Sequence, residues 1–232
     1  MIKKIRVNPL LQKRGIIESG YIMPPKVKEL SQIFIKYTNA VELANTIEIA
    51  EDKRYYVILN GTFVFGDLIE ALCVENNWHV KKMYVSTLSF NQNNVDSLAN
   101  LLNGDFVDEL EFIVSTGFES HERYNLLKYM LSELDKNNKF QLAIADTHMK
   151  VTLMELHTGE KIVIHGSANL RTSNNIEQVV IEENKALYDF NMDLFNDIIA
   201  KYKVINKAVR SVEMKAVLTK DINNVFITNS NF

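Results

Sequence analysis

A single cysteine, Cys73, in 232 residues rules out an intramolecular disulfide framework and agrees with a reducing, cytoplasmic setting. Within FGDLIEALCVENN it falls on a helical apolar face, the pattern of a core residue rather than a reactive thiol. No apolar run is long enough for a membrane span. The opening MIKKIRVNPLLQKRG is basic without an apolar run behind it, which argues against a secretory leader. Cys and His spacings suited to structural zinc are missing, as are an acidic cluster of the two-metal nuclease kind and a Walker-type phosphate loop. Low-complexity tracts are missing too. What remains, 47% hydrophobic and 24% charged, is the composition of a globular chain long enough for one sizeable domain.

The formal net charge of −3 argues against a protein that coats nucleic acid indiscriminately. Its distribution is uneven. Residues 1–36 hold eight Lys and Arg against Glu18 and Glu29, a balance of +6 that leaves −9 for the rest. A basic arm beside an acidic body can hold a phosphate backbone, and a solvated extension is the equal alternative. Pro24-Pro25 marks the end of this arm, and we divide the chain into the arm (1–36), a domain (37–206) and a C-terminal extension of unassigned role (207–232).

From Lys26 the spacing of apolar residues predicts a helix and then a second helical stretch. Beyond it, RYYVILN reads as a strand, a loop follows at Asn60-Gly61, and a helix starts near Gly66. WHVKKMYVSTLSF is a strand, VDSLANLLNG a helix closed by Gly104, ELEFIVSTG a strand, HERYNLLKYMLSELDKN a helix and FQLAIAD a strand. This alternation implies an α/β fold with a mixed, mostly parallel sheet flanked by helices. Sites in such sheets form beyond the carboxyl ends of strands, where Ser86, Thr87, Ser115, Thr116 and Gly117 fall. After Asp146 come two alternating apolar runs around a Thr158-Gly159-Glu160 turn, a loop crowded with Ser, Asn and Arg, a strand IEQVVIEEN and an amphipathic helix ALYDFNMDLFNDIIAKYK.

Three pairs of polar residues sit two apart in this stretch: His148 with Lys150, Ser167 with Asn169, and Asn175 with Glu177. In a strand such pairs share a face, so each presents both side chains to one cleft. An imidazole attacks phosphorus, ammonium and amide donors hold charged oxygens, and a carboxylate behind the ring fixes its tautomer. No metal or other cofactor is required by this set. Arg171 is the best further candidate for gripping a phosphate, and His165, beside Gly166, is a tentative one. His79, His121 and His157 have no partners at meaningful spacing.

His148-Met149-Lys150, the acid at Glu155, Gly166-Ser167-Ala168-Asn169 and Glu177 together resemble the signature of the phospholipase D superfamily. The resemblance implies that His148 is a nucleophile forming a phosphohistidine, that Lys150 and Asn169 bind phosphoryl oxygens with help from Ser167, and that Glu177 orients the His148 ring. Glu155 and Asn175 are supporting positions. The family's acid is normally Asp, and the ten residues between Glu155 and Gly166 exceed its usual spacing, which fits a longer hairpin. Glu155 has opposite strand parity to His148 and Lys150, which suits the other face of the sheet better than phosphate contact.

The motif occurs once. Single-copy members resemble one another in forming homodimers that build one site from two copies, because a second histidine must protonate the leaving oxygen. The expected function is therefore a homodimeric, metal-independent phosphodiesterase, a nuclease acting on DNA in preference to RNA, with no stable membrane association. Alternatives are a dimeric nucleic-acid-binding protein of weak or lost turnover, and a phospholipase.

Overall fold

The computed structural model describes the backbone of residues 31–36 and, in full, residues 39–59, 65–171 and 175–205. Most of the expected basic arm, the loop at Asn60-Gly61 and the extension from 207 lie outside the described residues. Among the described residues eight strands form one sheet: β1 Ser31–Lys36, β2 Lys53–Leu59, β3 Val80–Thr87, β4 Leu110–Ser115, β5 Phe140–Ala145, β6 Val151–Leu156, β7 Lys161–Gly166 and β8 Glu177–Glu183. Their order is β1-β2-β8-β7-β6-β3-β4-β5.

The sheet is mixed and flanked by helices, as expected, but parallel pairs are the minority. β1–β2, β3–β4 and β4–β5 run parallel, whereas β2–β8, β8–β7, β7–β6 and β6–β3 run antiparallel. The physical reason is the β6–β7 hairpin together with the return of β8, which places three consecutive strands of alternating direction at the centre of the sheet. Gly159 turns the hairpin with φ of 110°, a left-handed value that a residue with a Cβ adopts only under strain.

Six helices accompany the strands among the described residues: α1 Ala40–Thr46, α2 Phe65–Glu75, α3 Gln92–Asn103, α4 Thr116–Glu122, α5 Leu126–Leu134 and α6 Lys185–Tyr202. Two helix expectations change. Part of the helix expected from Lys26 is strand β1, because SQIFIK carries two isoleucines and a phenylalanine, residue types that suit a pleated ladder, and a free edge of β2 pairs with it. The single helix expected over 121–137 is two, with His121 in the last turn of α4 and α5 starting at Leu126.

The larger core lies on the sheet face covered by α1, α2, α3 and α5, where Leu43, Leu68, Leu72, Leu98, Leu101, Met130 and Phe112 are buried together. Cys73 belongs to it, fully buried, with its thiol pushed up to about 12 by that burial, so it is inert core as its helical face implied. On the opposite face α6 buries Tyr188, Phe195 and Ile199 against Tyr84, Ile113, Leu153 and Val163. Both faces of the central strands are thereby sealed, and chemistry is left to the sheet's ends. No helix among the described residues is long and apolar enough to cross a membrane.

Candidate active site

At one end of the sheet the carboxyl ends of β2, β3, β4, β5 and β7 gather with the starts of β6 and β8. β5 is an edge strand and β6 lies three places inward, so the connector 146–150 must cross the ends of β4 and β3. Hydrogen bonds trace its path. The Thr116 hydroxyl, just past β4, donates to Asp146, and the Ser86 hydroxyl on β3 donates to the Met149 carbonyl at 3.3 Å. Within the connector the Thr147 hydroxyl accepts the Met149 N–H at 3.1 Å, and Lys150 Nζ donates to the His148 carbonyl at 3.1 Å. Met149 packs against the core beneath α6. His148 is thus an exposed ring on a connector pinned at both sides.

His148 and Lys150 therefore precede β6 instead of lying on a strand, so strand parity does not orient them; the pinned connector does. Beyond β7 the alternation does hold in the solvent exposure of the chain. Ala168 and Leu170 are buried in the core, while Ser167 and Arg171 are exposed and Asn169 is half-buried. Two anchored residues facing inward turn the intervening polar residues outward.

This second segment is also clamped. The Ser167 N–H donates to the Gln178 carbonyl at 2.9 Å, the Gln178 N–H donates to the Ser167 hydroxyl at 3.0 Å, and that hydroxyl donates to Glu177 at the start of β8. Gly166 permits the crossing, since a Cβ there would sit 2.0 Å from the Gln178 carbonyl oxygen. The Leu170 N–H donates to the Thr87 hydroxyl at 3.3 Å, and the Leu170 carbonyl accepts the Gly66 N–H at 3.0 Å. Asn169 Oδ1 accepts the Leu88 N–H at 3.2 Å, with the Thr87 hydroxyl at 3.4 Å. A backbone N–H only donates, so this contact fixes which end of the amide is oxygen and leaves Nδ2 as the free-facing donor end.

Connector and loop meet at one cleft of about 440 Å³, whose walls include His148, Asn169, Arg171, Asp146 and Thr147 together with Leu88, Ser89, Ser115, Thr116, Gly117 and Phe118. The charged groups on it are Asp146 and Arg171, and His148 on the connector faces a loop that the sequence keeps about twenty residues away. Asp146, Thr147, Leu88, Ser89 and Phe118 were not legible as site residues in the sequence. Asp146 and Thr147 adjoin the motif, and the others follow strand ends, which is the only signal they carry.

The remaining sequence candidates lie as follows. Lys150 and Ser167 flank the cleft on its two pinned segments, and Glu177 holds Ser167. Asn175, exposed, precedes β8. Glu155 lies at the far end of β6, paired with Lys161 at 2.8 Å and Lys81 at 3.6 Å, and the Lys161 bond outweighs its partial burial and lowers its carboxyl below the ordinary value. It anchors the hairpin away from the cleft. His165 lies on β7 with Nε2 3.7 Å from Glu182, which Arg54 holds at 2.7 Å, and it does not line the cleft. Among the described residues no three His, Cys, Asp or Glu side chains are grouped as a metal site.

No family model matches the sequence, and no significant match occurs among curated proteins. Solved structures do align. A phospholipase D family member, Nuc from Salmonella typhimurium, aligns over 53% of this chain and 80% of its own, with 14% identity and a TM-score of 0.41. Phosphatidylserine synthase from Haemophilus influenzae covers 75% of this chain and 47% of its own, at 15% identity and a TM-score of 0.45. Polyphosphate kinase from Porphyromonas gingivalis covers 81% of this chain and 34% of its own, at 13% identity and a TM-score of 0.50. This chain spans less than half the length of the latter two. At such identities the likeness is one of fold alone.

Proposed function

We propose that the chain is a phosphodiesterase of phospholipase D type that hydrolyses nucleic acid, DNA in preference to RNA, through a phosphohistidine and without a metal ion. The observation that carries this reading is the meeting of His148 with Asn169 and Arg171 over one cleft, delivered by two separately clamped segments. A nucleophile and two donors for a charged oxygen, held in advance, are what in-line attack on a phosphodiester needs.

In the first step a ring nitrogen of His148 attacks phosphorus, a P–N bond forms, and the P–O bond to the leaving oxygen breaks. Asn169 Nδ2, the Arg171 guanidinium and Lys150 Nζ neutralise the non-bridging oxygens. The leaving oxygen takes a proton from His148 of a second copy. In the second step that same ring accepts a proton from water as the water oxygen attacks phosphorus, the P–N bond breaks, and both rings return to their starting states. Two histidines of one kind imply a twofold homodimer with the cleft at its interface. Ser167 and Glu177 hold the loop that carries Asn169.

Cleavage of single- and double-stranded DNA and RNA in excess EDTA, by the wild type and by His148→Ala, tests the proposal, with binding measured in parallel. Cleavage that survives EDTA and disappears in the variant is the predicted result. Salt-sensitive binding with no cleavage by the wild type would instead support a binding protein that retains the fold without turnover.

A further inference from the structure

We infer that the cleft carries a subsite for one unpaired nucleobase, with the Phe118 ring as its apolar wall. Phe118 is the outermost ring of a ladder that begins in the core. Phe112 is wholly buried, Phe90 meets it edge-on at 5.2 Å, and Phe118 meets Phe90 at 4.7 Å with the planes tilted by 39°. The backbone beneath it is fixed as well, because the Phe118 N–H donates to the Ser115 hydroxyl at 3.1 Å. A half-buried aromatic held this firmly, on the same cleft as His148 and Arg171, is a preorganised platform that loses little freedom when a flat ring packs on it.

The rest of the wall suits such a ligand. Leu88 adds apolar surface, Ser89, Ser115 and Thr116 are small, and a Cβ placed on Gly117 would meet nothing within 4 Å, so the space beside the ring is open. The Asp146 carboxylate offers acceptor oxygens to the amino edges of a base. A volume of about 440 Å³ is that of a small-molecule pocket, not of a groove that takes a duplex. A paired base would have to leave its stack to enter, whereas a single strand presents bases already free.

A base subsite beside the cleaved phosphate presupposes the phosphodiesterase reading, so the test separates the two. Short DNA strands are compared as an ordinary single strand, the same strand with a base-free tetrahydrofuran residue at the cleavage position, and a duplex. The subsite predicts that wild-type kcat/KM is about tenfold higher for the ordinary strand than for the other two. It also predicts that Phe118→Ala and Gly117→Leu bring the ratio of ordinary to base-free cleavage close to one. Gly117→Leu extends into open space at a helical position, so it tests the pocket even where Phe118→Ala unfolds the chain. Equal wild-type rates on ordinary and base-free strands overturn the subsite and leave the phosphodiesterase intact. A Gly117→Leu variant that lowers both rates in proportion also overturns it. No cleavage of any strand by folded wild type overturns both.

Discussion

The hydroxyl of Thr87 has one proton and several partners. It donates to the Ser89 carbonyl at 3.0 Å, accepts the Leu170 N–H, and lies beside Asn169 Oδ1, all while 1% exposed. Replacing it with an isosteric methyl leaves a buried N–H and a buried carbonyl unmet, which costs about 1–3 kcal/mol for each unsatisfied group. Thr87→Val is predicted to lose that stability in urea titration and also to lower kcat, because the loop carrying Asn169 loosens; Thr87→Ser restores kcat. A kcat unchanged in folded Thr87→Val would show that Asn169 is not held by this contact. A second buried group makes a pH prediction. Burial pushes the Glu182 carboxyl up, but His165 beside it, Arg54 and Asn184 outweigh burial and hold it at about 2, below the ordinary 4.5. A lowered folded value means that its contribution to stability is full above about 4.5 and lost as pH falls toward about 2. Arg54→Gln is predicted to flatten this acid limb in thermal melts recorded from pH 6 to pH 2, and an unchanged limb would assign the loss to other carboxylates.

Element by element, the sequence was most readable where contacts are local. Alternation over 151–156 and 161–166 around Thr158-Gly159 is the β6–β7 hairpin, and the strand–helix alternation through residue 145 is the parallel run β3-β4-β5. What alternation does not encode is which distant strands pair. The insertion of β8 between β2 and β7, and of β6 beside β3, joins segments far apart in the chain and leaves no periodic mark. Those pairings made the sheet more antiparallel than expected. The motif residues were legible by type and order, and the orientation of His148 and Lys150 was not, because an irregular connector sets it through Ser86, Thr116 and Thr147. Gly166 shows how tightly the motif loop depends on its strand. The constraint is close approach to Gln178, not a left-handed backbone, so even the smallest side chain collides with backbone. Gly166→Ala is predicted to displace Ser167 and lower the melting temperature by several degrees, whereas Gly117→Ala, facing open space in α4, leaves it unchanged or raised. Equal melting temperatures for the two variants would contradict the crowding argument.

For the molecule as a whole, the two layers of helix leave the carboxyl end of the sheet open as one place where polar groups converge, and under the proposed two-histidine mechanism the single His148 of each chain requires a second copy. A dimer is therefore predicted at assay concentrations, measured by light scattering as twice the chain mass. Mixing inactive His148→Ala chains with wild type is predicted to lower activity by more than dilution, since mixed dimers lack one of two required rings; loss in strict proportion to dilution would point to self-sufficient chains. The most direct test is chemical. Rapid quenching of wild type with an end-labelled single strand during turnover, followed by peptide mapping, is predicted to find phosphate-linked label on the peptide containing His148, stable to alkali and labile to acid. Robust cleavage with no label on that peptide would contradict the assignment of His148 as the nucleophile.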